Sequence, residues 1–259
     1  SIRFSDGEVP TVVGRVASTP EEAQALAVPP VGAGRTGVFL AAVREALTRI
    51  TDRPVLAGVI GPFSLAARLL DVTEIMIDCY EEPDMVHTVL EKAAQFLTAY
   101  CQAYKAVGAN GVILAEPVTG LLSPALAEAF SAPYVKELVE AVQDDSFVVI
   151  YHNCGGSIIQ QTESILSTGS AAYHFGNAVD VADMLSRFPA DTVVMGNIDP
   201  AAQFRNDTPD SIRQAVKETM EACRAHPNVV ISPGCDIPPL TPWENIDAFF
   251  AAVHDFYNP

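Results

Sequence analysis

Short, nearly continuous apolar runs punctuate the chain, and each stops at a glycine, an asparagine or another polar residue. Six stand out: VLAGVIG (55–61), GVILAE (111–116), FVVIYHN (147–153), AAYHFG (171–176), TVVMGN (192–197) and NVVISPG (228–234). Runs of this length without polar alternation are what strands buried on both faces of a parallel sheet require. Between them the period changes to that of a helix. Residues 84–106 place Val86, Val89, Leu90, Ala93, Phe96 and Leu97 at helical spacing. Residues 209–225 begin with Thr208 positioned to cap and Pro209 in the first turn, and 242–256 starts on TPWEN in the same manner. Pro/Gly-rich residues 28–34 read as a linker. Strands alternating with helices predict βα units and an α/β fold.

Six strands leave two architectures in play. A closed (β/α)8 barrel needs eight, so two βα units would be missing upstream. A doubly wound sheet can use six, but no G-x-G-x-x-G follows any run. The strand ends decide for the barrel. They carry Glu116, His152, Cys154, His174, Asn177, Asn197, Asp199, Cys235 and Asp236, and barrel active sites are built where the C-terminal strand ends converge. The expectation is a single TIM-barrel domain over residues 1–259 with its first two βα units absent. The opening SIRFSDGEVPTVV, without a methionine, agrees with an N-terminally incomplete barrel.

Composition then narrows the function. The chain has 259 residues, 49% hydrophobic and 18% charged, which supports one large core and excludes disorder. No apolar stretch reaches the roughly 18 residues that span a bilayer. A formal charge of −17 disfavours nucleic acid and anionic membrane as partners, since both are negative themselves. A cytoplasmic protein is expected. Five cysteines are too few and too scattered for a disulfide framework. Cys79, Cys101 and Cys223 fall in helical segments and read as packing or surface residues, whereas Cys154 and Cys235 fall at strand ends.

His152 and Cys154 stand two apart in YHNCGG, and Cys235 follows 80 intervening residues later in SPGCD. A closed barrel would bring these strand ends together. One imidazole and two thiolates form the donor set that zinc prefers, with a fourth position left open. Zinc with two thiolates and a neutral imidazole carries no net charge. Such a centre activates water weakly but can hold an incoming thiol as thiolate, where a free thiol of pKa about 8.5 stays mostly protonated. Alkyl transfer to sulfur suits it better than hydrolysis. The competing reading is that buried cysteine is a common small hydrophobe.

The stretches GPFSLAARLL (61–70), LLSPALAEAFSAPYVKELVEAV (121–142), YHNCGG (151–156), MGNIDP (195–200) and SPGCDIPPLTPWENIDAF (232–249) resemble the uroporphyrinogen decarboxylase superfamily of (β/α)8 barrels. They are most similar to its methylcobalamin:coenzyme M methyltransferase branch, and the resemblance covers nearly all of residues 35–259. It implies that His152, Cys154 and Cys235 hold Zn2+, that a methylated corrinoid is the donor, usually on a partner corrinoid protein, and that a small-molecule thiol is the acceptor. The implied chemistry is an SN2-like displacement of the methyl group by the thiolate. Homodimerisation is left open, as is the acceptor: coenzyme M, homocysteine or another. FSD at 4–6 is similar to a decarboxylase motif, but GEVPTVVG fits the methyltransferase branch's connecting hairpin better, and Asp6 is given no catalytic role. The alternatives are a uroporphyrinogen decarboxylase, whose pocket needs cations for several carboxylates in a chain with 15 Lys plus Arg, and a non-catalytic corrinoid-binding barrel.

The remaining strand-end residues carry paired readings. Glu116 is a fourth zinc ligand or a proton acceptor for the thiol, or else a carboxylate paired with a neighbouring backbone or arginine. His174 and Asn177 are substrate or corrinoid contacts, His174 acting in catalysis, or else His174 is hydrogen-bonded where it closes its strand. Asn197 and Asp199 bind the cofactor or organise a tight loop, and Asp236 orients a ligand. Arg35 is a contact for an anionic substrate. His87, His226 and His254 lie in helical stretches away from the pocket.

Overall fold

The computed structural model describes residues 2–3 and 11–258. FSD and Asp6 fall outside these residues. On either side of them, β1 (Ile2–Arg3) and β2 (Thr11–Val12) pair antiparallel. Each expected apolar run contains one strand of a parallel sheet: β3 (Leu56–Ile60), β4 (Gly111–Ala115), β5 (Val148–Asn153), β6 (Ala172–Phe175), β7 (Val193–Ile198) and β8 (Val229–Pro233). They lie side by side in chain order. That order, with a helical connection after every strand, is six consecutive units of a (β/α) barrel. Among the described residues β3 and β8 are the free edges, and Val230 on β8 is 43% exposed.

The helices are α1 (Pro20–Ala25), α2 (Thr36–Arg49), α3 (Pro62–Leu70), α4 (Val72–Glu81), α5 (Pro83–Ala106), α6 (Pro124–Phe130), α7 (Ala132–Val142), α8 (Thr162–Leu166), α9 (Val181–Arg187), α10 (Pro209–Ala222) and α11 (Trp243–Tyr257). Residues 28–34 separate α1 from α2, as the linker reading expects. Thr208 caps α10 by accepting from the Ser211 amide. The same expectation fails at α11. Pro242 is the cap residue there, and Thr241 instead turns its hydroxyl to Pro238 O at 2.8 Å. No helix among the described residues is long and apolar enough to cross a membrane.

Side chains alternate across each strand, and the two faces differ. Ala57, Val59, Val112, Leu114, Val149, Tyr151, Tyr173, Phe175 and Val194 form one buried cluster with Leu97, Tyr100, Val135, Leu138, Met184 and Leu185 of α5, α7 and α9. The opposite face carries the half-buried Ile60, Ile113, Ala115, His174, Met195, Asn197 and Ser232, together with buried His152. Parallel register keeps these residues in layers: Ile60 opposite Ala115, Ala115 opposite His152, His152 opposite His174, His174 opposite Met195. Polar side chains thus gather on the one face that is not sealed by helices.

Leu138 is fully buried in the main cluster, whereas Val38 on α2 is 65% exposed. Leu138→Ala therefore lowers the urea-unfolding free energy by about 2–5 kcal/mol, and Val38→Ala changes it by less than about 0.5 kcal/mol.

Candidate metal centre

β5 delivers His152 one residue before its end and Cys154 one residue after it, so the period of two points both to the same face. β8 delivers Cys235 two residues beyond Pro233. The His152 Nε2 atom stands 3.7 Å from Cys235 Sγ, and one donor atom from each of His152, Cys154 and Cys235 lies within 4.8 Å of the others. Around a tetrahedral zinc with Zn–S of about 2.3 Å and Zn–N of about 2.0 Å, ligand atoms stand roughly 3.5–3.8 Å apart. The donor types and their spacing fit zinc. Both cysteines are free and half-buried. Hydrogen bonding between the two thiols pushes Cys154 up and Cys235 down, and His152 draws Cys235 further down. The pair is ready to shed a proton toward a cation. Gly176 makes the packing feasible, because a Cβ there would come within 2.5 Å of the Cys154 Cβ.

His174, directly across the ladder, has both ring nitrogens engaged. Its Nδ1 is 2.8 Å from His152 Nδ1, and its Nε2 is 2.8 Å from Pro233 O and 3.0 Å from Ser232 Oγ. The two rings are tilted by 33° with centroids 4.6 Å apart. Burial, then the neighbouring His152, hold His174 down at about 4, so the ring is neutral near pH 7. Ser232 and the Pro233 carbonyl are site residues that the sequence reading missed; their signal was SPGC itself, where the strand turns toward the cysteine.

Glu116 does not join the donor cluster. It belongs to the helix-facing parity of β4, and Ala115 is the residue opposite His152. Its carboxylate is fully buried and caps α3, accepting from Phe63 N and Ser64 N, each at 2.9 Å. Of its paired readings, the geometry matches a carboxylate spent on neighbouring backbone. Gly61 leaves the room for it, since a Cβ there would lie 2.3 Å from the Glu116 carboxyl carbon. Burial raises Glu116 to about 7, against the lowering pull of Ser64 and Phe63.

Asn177, Asn197 and Asp199 stand on the loops beside the cluster, and each builds a loop. Asn177 donates to Asp199 Oδ2 at 2.8 Å, while Asp199 Oδ1 caps the turn after β7 by accepting from Ala201 N and Ala202 N. Asn197 ties the loop after β6 by donating to Gly176 O and Val179 O. Asp236 is exposed, and its backbone N–H helps hold Cys235 down. Arg35 is exposed and lies over the Phe39 ring at 5.4 Å. Cys79, Cys101 and Cys223 are buried packing residues as expected, and burial pushes Cys79 and Cys101 up to about 12. His87 stacks on Phe130 and bonds Tyr134 Oη, His254 sits exposed in α11, and His226 lies just past α10 instead of within a helix.

Residues 1–256 match the family described as uroporphyrinogen decarboxylase (URO-D). A uroporphyrinogen decarboxylase of Paraburkholderia phytofirmans is 29% identical over 98% of this chain and 72% of its own length. A methylcobamide:CoM methyltransferase of Methanosarcina acetivorans is 25% identical over 95% of this chain and, again, 72% of its own length. Among solved structures, a methyltransferase from Methanosarcina mazei superposes with a TM-score of 0.87 at 24% identity, covering 99% of this chain and 75% of that one. That superposition establishes the barrel type.

The Glu116 carboxyl is protonated more readily in the fold than in the unfolded chain, where its ordinary value is 4.5. Its contribution to stability is full below about pH 4.5 and fades as pH rises through about 7. The urea-unfolding free energy of the wild type should therefore fall between pH 5 and 8 by an extra amount of order 1–3 kcal/mol relative to Glu116→Gln. Parallel pH profiles for the two proteins would remove Glu116 as the cause.

Proposed function

The chain belongs to the uroporphyrinogen decarboxylase (URO-D) family, and within it we propose a zinc-dependent methyltransferase that moves a methyl group from a methylated corrinoid to a thiol. The observation that carries this reading is the convergence of His152, Cys154 and Cys235 from two strand ends 80 intervening residues apart. His152, Cys154 and Cys235 would hold the ion, one imidazole and two sulfurs being fewer ligands than the four zinc commonly takes. A zinc ion bound there supplies a Lewis acid that lowers the pKa of an incoming thiol. Two cysteinates would offset the charge of such an ion, and that donor set would favour a soft thiolate over water as a further ligand. His152 itself is buried, at 7% exposure. The coenzyme M named for the Methanosarcina relative is the first acceptor to try. A corrinoid protein is the expected partner that presents the methyl donor.

Decarboxylation is the second reading, supported by the 29% identical Paraburkholderia relative. A pocket for a polycarboxylate needs several cations facing it. The groups that bond into this cluster are imidazoles, thiols, Ser232 and the Pro233 carbonyl, and this donor set supports the metal reading.

Metal analysis separates the two. The protein should take up about one zinc per chain, and Cys154→Ser and Cys235→Ser should each lose most of it. With zinc bound, methylcobalamin should be demethylated in the presence of coenzyme M or another thiol, followed by its visible spectrum. Protein that takes up no zinc, or that converts uroporphyrinogen equally well after chelation, would eliminate the methyltransferase reading. Zinc uptake and corrinoid binding with no demethylation across a thiol panel would point to the non-catalytic barrel.

A further inference from the structure

A histidine can offer zinc either ring nitrogen, and the choice is set by what the other nitrogen does. At this site the choice is fixed by two backbone carbonyls, which only accept. Pro233 O lies 2.8 Å from His174 Nε2, so that nitrogen carries the proton. The neutral ring then has a bare Nδ1, and this atom is 2.8 Å from His152 Nδ1. His152 Nδ1 must therefore be the donor of that bond. The carbonyl of His174 itself, 3.3 Å from the same His152 Nδ1, imposes the same polarity independently. That leaves the lone pair of His152 on Nε2, the atom that meets Cys235 Sγ at 3.7 Å. Ser232 Oγ, 3.0 Å from His174 Nε2 and 3.1 Å from Pro233 O, braces the far end of the chain. Because Pro233 is two residues from Cys235, the strand that brings the thiolate also orients the imidazole.

We propose that His174 is a positioning residue for the metal centre: it holds His152 in the Nδ1-protonated tautomer and aims the Nε2 lone pair at the ion. The assignment rests on the metal-centre reading of His152, Cys154 and Cys235. It differs from a contact to substrate or corrinoid, because neither ring nitrogen of His174 is left to make one.

The test compares zinc affinity, by competition with a chromophoric chelator, for the full chain, His174→Phe and His174→Asn. Phenylalanine keeps an aromatic ring against His152 but accepts no hydrogen bond. Asparagine places an amide oxygen where Nδ1 stood. His174→Phe should weaken zinc about 10–100-fold, the usual cost of losing an outer-sphere partner, and His174→Asn should recover most of that loss. Nitrogen-15 NMR of histidine-labelled, zinc-loaded wild type should show His152 protonated at Nδ1 and metal-bound through Nε2. Equal zinc affinity in wild type and His174→Phe would overturn the proposal while leaving the metal centre standing, as would metal bound through Nδ1. A wild type that takes up no zinc would overturn both. Should His174→Phe fail to fold by circular dichroism, His174→Leu takes its place in the zinc competition, with the same loss expected and equal affinity overturning the proposal.

Discussion

Parallel register is the constraint on which the site depends. His152 stands opposite His174 in the ladder between β5 and β6, and Asn197 stands opposite Ser232 between β7 and β8. A one-residue slip in either pairing would send these side chains to the helix-packed face, where Tyr151, Tyr173 and Phe175 now fill the core. The apolar face is thus what holds the polar face in position. Burying large aromatics such as Tyr173 and Phe175 on one side fixes the register, and the register fixes which atoms meet on the other.

From that geometry the electrostatics follow. The two cysteines approach closely enough to shift one another in opposite directions, and the His152 imidazole lies between Cys235 on its Nε2 side and His174 on its Nδ1 side. Among the described residues, the hydrogen bonds of the cluster bring no lysine or arginine to the thiols. Two sulfurs and one imidazole held together by the fold form a preorganised demand for positive charge. The surrounding loops serve the same end by building themselves. Asn177, Asn197 and Asp199 spend their polar atoms on one another and on backbone, so the loops after β6 and β7 are tied together.

The strands were legible because each is a continuous apolar run, which leaves little ambiguity about length or type. The three donors were legible because His152 and Cys154 share a face by simple alternation, and Cys235 ends the last run in the same way. Glu116 was not. Its position at a strand end looked like chemistry, but its partners are amides 52 and 53 residues upstream at the start of α3, and no local pattern announces them. The pairing of His174 with His152 was equally hidden, since it needs the register between two strands joined by a long connection. Thr241 shows the limit of cap motifs: the same Thr-Pro pair that starts α10 instead closes a turn onto Pro238 before α11. Local chemistry marks candidates, and tertiary contacts decide which of them stay available.

The proposed zinc site uses two sulfurs and one imidazole nitrogen, which X-ray absorption at the zinc edge of the zinc-loaded protein reads out. Two sulfur scatterers at about 2.3 Å and an imidazole nitrogen at about 2.0 Å are expected. A shell of oxygen and nitrogen alone, with no sulfur at bonding distance, would contradict it.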